Sequence, residues 1–272
     1  MSVHRLTDYH VHTPRCGHAT GRMEEYVETA IAAGLAEIGF SDHLPMYWLP
    51  PERRDRSVAM AMEELEEYVA DVLRLRERYP EIPIRLGVEA DYIPGREEDL
   101  ARLLEPYPWD YVIGSVHFIG DWGFDNPAEV RRFAEWNLSD LYARFFALEI
   151  QAARSGLFDI MAHIDLVKKF GHRPETDLRP VYREVAAALA QAGVAVELST
   201  AGLRKPVGEV YPHPDLLAEC CRHAVPIVIN SDAHSPEEVA WGFADALALA
   251  RAVGYRQVVR FSRRQRTAVD LD

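Results

Sequence analysis

A chain of 272 residues with 48% hydrophobic and 27% charged positions has the balance of a soluble globular protein and excludes a disordered one. Its 43 acidic against 30 basic residues leave a net charge of −13, which repels a nucleic-acid backbone, and no apolar run approaches the ~20 residues that cross a bilayer. Three cysteines, Cys16 and the adjacent Cys220 and Cys221, exclude a disulfide framework. With no signal-like segment at the N-terminus, the expectation is a cytoplasmic protein without nucleic-acid or membrane partners, its oligomeric state unknown.

In chain order, short runs rich in Val, Ile and Leu alternate with longer stretches of helical period. Strands are predicted over 6–11, 37–41, 84–89, 111–116, 159–162, 194–198 and 227–230. Helices are predicted over 22–33, 61–78, 96–104, 127–154, 178–192, 214–223 and 236–253. Ser235 and Pro236 form a helix-start pair, while Gly34, Gly156, Gly193 and Gly254 fall where helices should end. The basic stretch 260–266 reads as a solvated C-terminal face. No linker interrupts the series, so one domain over 1–272 is expected. A reactive-type residue follows the strands all along the chain, which favours an α/β fold closed as a distorted seven-stranded (β/α)7 barrel over an open sheet with one switch point.

The first strand places Asp8, His10 and His12 on one face by its period of two, and burying three such groups is costly unless a cation satisfies them. A lone His-x-His also fits two surface histidines. Further along, Asp42-His43, Glu89-Ala90-Asp91, His117, His163-Ile164-Asp165 and Asp232-Ala233-His234 each follow an apolar run directly. His10, His12, His18, His43, His117, His163 and His234 thus sit at strand ends or in the first loop, whereas His4, His172, His213 and His223 lack such partners and read as ordinary histidines. These imidazoles, with Glu89 and Asp232, exceed what one ion can use, so two or three divalent metals are expected, with Glu89 as the bridge. Metal clusters of this kind suit phosphoryl transfer.

Asp8-Tyr9-His10-Val11-His12, Ser41-Asp42-His43, Gly87-Val88-Glu89-Ala90-Asp91, Gly114-Ser115-Val116-His117, Ala162-His163 and Asn230-Ser231-Asp232-Ala233-His234 together resemble the PHP phosphoesterase family over nearly the whole chain. Within it, Lys168-Lys169-Phe170-Gly171-His172-Arg173 and Ser199-Thr200-Ala201-Gly202-Leu203-Arg204-Lys205-Pro206 are most similar to the histidinol phosphatases. The resemblance implies a site for three ions, zinc, iron or manganese. His10, His12, Glu89 and Asp232 would hold the first, Glu89, His117 and His163 the second, and His18, His43 and His234 the third.

The expected substrate is a small phosphate monoester, L-histidinol phosphate, attacked at phosphorus by a metal-bridging hydroxide in line with the leaving alkoxide. Glu89, Asp232 and Arg204 are the catalytic residues on this reading, with Arg204 clamping two phosphate oxygens and Arg173 a second contact. Against these stand a surface arginine for Arg204 and a loop ion pair for Arg173. Asp8 and Asp42 are expected to orient ligand imidazoles, and Cys16 to fill the first loop. The rival readings are a phosphoesterase acting on nucleotides or other phosphate monoesters, a barrel amidohydrolase, and a non-catalytic metal-binding module.

Overall fold

The computed structural model describes residues 6–271. In chain order the strands are β1 (Thr7–Asp8), β2 (Glu37–Phe40), β3 (Ile84–Asp91), β4 (Tyr111–Ser115), β5 (Phe118–Ile119), β6 (Trp122–Gly123), β7 (Ile160–Met161), β8 (Ala195–Ser199), β9 (Ile227–Asn230), β10 (Gln257–Ser262) and β11 (Gln265–Asp270). The helices are α1 (Met23–Ala33), α2 (Leu65–Arg78), α3 (Glu97–Leu104), α4 (Leu138–Arg154), α5 (Arg179–Ala192), α6 (Pro214–Arg222) and α7 (Phe243–Val253). Strands β1, β2, β3, β4, β7, β8 and β9 make one parallel seven-stranded sheet in that order, and β5–β6 and β10–β11 are antiparallel hairpins.

The sheet curls until β9 returns to β1. There Val11 bridges Ala233, His12 N donates to Ala233 O at 2.9 Å, and Ala233 N donates to His10 O at 3.0 Å. Lower down, among the described residues, β1 and β9 form no backbone ladder, and Tyr9 N donates instead to the Asn230 side-chain oxygen at 2.8 Å. The result is the distorted, nearly closed barrel that the βα alternation predicts. Its interior holds Tyr9, Tyr111, Ile113, Ile160, Ala162, Ala195 and Val228. The Tyr111 hydroxyl spans this space to the carbonyls of Tyr9 and Phe40, at 2.6 and 3.2 Å. Gly39 and Gly87 make room for it, since a Cβ at either would run into the Tyr111 ring.

The C-terminal stretch read as a solvated face is a structural floor. Val259 and Phe261 of β10 join the interior cluster, and the β10–β11 turn has Arg263 and Arg264 at φ 49° and 61°. Arg263 N donates to Asp110 Oδ1 at 3.0 Å, Arg264 N to Asp110 O at 2.8 Å, and Arg264 Nε to Asp159 Oδ2 at 2.8 Å. Because Asp110 and Asp159 precede β4 and β7, the hairpin closes the barrel end opposite the strand C-termini. Val258, Val259 and Phe261 carried that signal, and the basic residues masked it.

Three helices break where one was expected. Residues 127–154 form a 3-10 segment, Pro127–Glu135, and then α4, because the Asn137 side chain caps Ser139 N and Asp140 N and starts a new helix. Residues 236–253 split into a turn at Pro236–Glu238 and α7, interrupted by left-handed Ala240 and Gly242. Residues 61–78 begin with a 3-10 turn, Met62–Glu64. Gly34, Gly193 and Gly254 take left-handed conformations at helix C-caps as expected. His4 lies outside the described residues. Among the described residues no helix is long and apolar enough to cross a membrane.

Candidate metal centre

The strand C-termini converge on one patch, and all the histidines that the sequence singles out arrive there. Ring centroids lie 4.1 Å apart for His12 and His234, 4.4 Å for His12 and His43, 4.7 Å for His18 and His234, 5.0 Å for His10 and His12, and 5.1 Å for His117 and His163. His172, His213 and His223 stay apart, respectively stacked on Phe133, capping α6 and bonded to Glu219 O.

Glu89, near the end of β3, is the hub. Its Oε2 lies 3.2 Å from His10 Nε2, 3.5 Å from His12 Nε2 and 3.0 Å from His43 Nδ1. Its Oε1 lies 3.2 Å from His163 Nε2 and 3.6 Å from His117 Nε2. Ser115 Oγ donates to Oε1 at 2.5 Å. Asp232 Oδ1 faces His12 Nε2 at 3.1 Å and His10 Nε2 at 3.7 Å. On the outer side, His18 Nε2 and His234 Nε2 stand 3.0 Å apart. Two of the expected ligands, His163 and Asp232, sit at φ 28° and 52°, so backbone strain is stored where the side chains converge.

The other imidazole nitrogens are held from behind. His10 Nδ1 lies 2.6 Å from Glu197 Oε1, His12 Nδ1 3.4 Å from Asp42 Oδ1, and His117 Nδ1 2.9 Å from Asp91 Oδ1. Asp42 thus stands against His12 as expected, whereas the expectation for Asp8 is corrected. The β1 ladder stops at Asp8 and Tyr9 turns into the barrel; Asp8 instead accepts from Ser231 N, Ser231 Oγ and Ala240 N, tying down the segment after β9. Glu197, wholly buried in β8, was missed, although a lone glutamate within an apolar strand was the available signal.

The electrostatics match a site built for cations. Burial would raise the Glu89 carboxyl, but His10, His43 and His117 hold it well below the usual range; His10, His12 and His234 do the same for Asp232. Burial disfavours charge on His12 and His117, yet the surrounding carboxylates push them up to about 9 and about 10. His234 falls well below 6.5 through burial and the neighbouring His12.

The residues fit divalent ions. Among the described residues His10 Nε2 and Glu89 Oε2 are buried without a hydrogen-bond partner, and His18 Nδ1 and His234 Nδ1 face the carbonyls of Cys16 and Asp232 at 3.0 and 3.1 Å, which leaves their Nε2 atoms as two acceptors turned towards each other, an arrangement that a shared cation satisfies. Donor atoms of His10, His12 and Glu89, of His43, Glu89 and His117, of His12, His43 and His234, and of Cys16, His18 and His234 each cluster within 4.8 Å. His43 thus stands between Glu89 and the outer histidines. Burial and Asp42 push the Cys16 thiol up to about 12, which keeps it neutral, and its sulfur accepts from Ala19 N at 3.3 Å.

Arg204 lies beside Asp232: its Nη2 donates to the carbonyls of Ser231 and Asp232 at 2.9 and 3.1 Å, its Nε is 3.0 Å from Glu238, and Nη1 has no hydrogen-bond partner among the described residues. Arg173 pairs with Glu209 at 2.7 Å, and Glu209 also reaches the buried Lys168.

A family model described as the PHP domain matches residues 8–201. A protein of Deinococcus radiodurans named "probable histidinol-phosphatase" is 47% identical over 93% of this chain and 95% of its own length. A histidinol-phosphatase of Bacillus subtilis is 30% identical over 87% of this chain and 96% of its own length. Among solved structures, the histidinol phosphate phosphatase of Lactococcus lactis in complex with zinc, L-histidinol and phosphate superposes with a TM-score of 0.80, covering 97% of this chain and 99% of that one at 24% identity. On its fold, its hub of histidines around Glu89 and these relatives, the chain belongs to the PHP domain family.

Proposed function

We propose that this chain is a histidinol phosphatase, hydrolysing L-histidinol phosphate to L-histidinol and phosphate at a centre for three divalent ions. The observation that carries the reading is Glu89, whose two oxygens lie within 3.6 Å of nitrogens from five histidines. The full-length similarity to proteins named for that activity supports the substrate. His10, His12, Glu89 and Asp232 would hold one ion, Glu89, His117 and His163 a second, and His18, His43 and His234 a third. Zinc, iron and manganese all suit such donors. Bound there, the ions would supply positive charge for the phosphoryl oxygens and acidify a water for attack on phosphorus.

Glu197, Asp42 and Asp91 fix which nitrogen of His10, His12 and His117 faces the centre. Arg204 offers Nη1 to a phosphate oxygen, and Arg173, on release from Glu209, offers a second contact. We place the reaction in the cytoplasm because Cys16, Cys220 and Cys221 are all free thiols. The test is phosphate release from L-histidinol phosphate by the zinc-loaded protein, its chelated form and R204A. Loss on chelation, recovery with zinc and a raised KM in R204A are expected; activity indifferent to chelation would refute the proposal.

A further inference from the structure

Trp241 is 43% exposed, more than other large hydrophobic side chains of the described residues, yet its backbone is tightly held. Its N donates to Glu238 O at 3.0 Å and its O accepts from Thr200 Oγ1 at 2.7 Å. Left-handed residues flank it, Ala240 at φ 58° and Gly242 at φ 73°. A Cβ on Gly242 would press on Thr200 at 3.2 Å and on Leu203 at 3.4 Å, so this loop is seated on the turn Ala201–Arg204 that carries Arg204. An indole left half in water, on a loop with a left-handed alanine, calls for an explanation other than core packing.

The guanidinium of Arg204 supplies it, with Cζ 5.4 Å from the centroid of the Trp241 ring. Two carbonyls and Glu238 Oε2 take Nη2, and Glu238 Oε1, 3.0 Å from Nε, offsets part of the charge. The indole attracts the cation through its π face, consuming no N–H group and cancelling no charge. Nη1 is left buried, donor-competent and without a partner among the described residues, one residue contact away from Asp232. We propose that Trp241 is a positioning residue, whose ring holds Arg204 in the orientation that presents Nη1 to a phosphate oxygen at the metal centre. The inference rests on the reading of Arg204 as a phosphate contact.

The test uses the zinc-loaded full chain and compares W241L, W241F, R204A and the W241L/R204A double variant. The readouts are kcat, KM for L-histidinol phosphate and Ki for inorganic phosphate. W241L should raise both KM and Ki roughly 3- to 10-fold while kcat falls less, and W241F, which keeps a π face, should stay within about twofold of wild type. In the R204A background W241L should add nothing. An unchanged Ki in W241L beside a raised Ki in R204A overturns the role of Trp241, as does W241F binding phosphate as weakly as W241L. An unchanged Ki in R204A removes the reading of Arg204, and the inference with it. Should W241L fail to fold, indole emission of the wild type titrated with inorganic phosphate decides: a change lost in both W241F and R204A supports the inference, and its persistence in W241F contradicts it.

Discussion

Replacing Glu197 with glutamine preserves shape and removes one charge, which isolates what lies behind the proposed metal ligands. Glu197 Oε1 stands 2.6 Å from His10 Nδ1 and accepts from Asn230 Nδ2 at 2.9 Å, and its Oε2 accepts from His163 N at 3.1 Å. All three partners present N–H groups to an acceptor-only carboxylate. A glutamine must turn its NH2 towards at least one of them, leaving a buried donor facing a donor at about 1–3 kcal/mol. At 1.4 kcal/mol per factor of ten, that is about 5- to 140-fold in retention of the ion that His10 would hold, which brackets the range usual for outer partners of metal ligands. Competition between E197Q and a chromophoric chelator for zinc measures it, with circular dichroism to show that the variant folds. A folded E197Q that holds zinc as tightly as wild type would refute the reasoning.

Because five imidazoles converge on Glu89, E89Q should cost more than E197Q in both zinc content and kcat/KM; metal analysis showing full occupancy would contradict this. Chelated protein should lose stability as pH rises. His12 and His117, raised from 6.5 to about 9 and about 10, bind protons more tightly folded than unfolded, so their contribution is full below about pH 6.5 and is lost on passing through those values. The melting temperature of the chelated form should therefore fall from pH 7 to pH 10 while that of the zinc form holds; a flat profile for the chelated form would count against it. G87A, whose Cβ meets the Tyr111 ring, should destabilise by about 1–3 kcal/mol in urea titrations, and an unchanged midpoint would show that the barrel interior yields more readily than its packing suggests.

The parts of the molecule legible in sequence are those where local pattern and tertiary role coincide. Strands β2, β4 and β7 lie in apolar runs bounded by reactive residues, and His43, His117 and His163, which follow them, meet at Glu89 of β3. Where pairing departs from regular strand geometry, the period of two misleads: Asp8 shares spacing with His10 and His12, yet bonds to Ser231 and Ala240 because the ladder ends there. Contacts distant in sequence were also hidden. Glu197 is separated from His10 by 187 positions, and the floor hairpin reaches Asp110 and Asp159 across 153 and 105 positions. Helix breaks at Asn137 and Ala240 depend on a cap and on a left-handed residue that apolar periodicity does not register.

The most direct measurement is the ratio of kcat/KM for L-histidinol phosphate to that for a mononucleotide and for p-nitrophenyl phosphate, taken with zinc, after chelation, and after return of zinc, iron or manganese. A histidinol phosphatase should prefer L-histidinol phosphate at least ~1000-fold, close to 4 kcal/mol in the transition state, with the preference abolished by the chelator and restored by metal. Chelator-sensitive activity that favours the nucleotide would keep the metal centre and contradict the substrate.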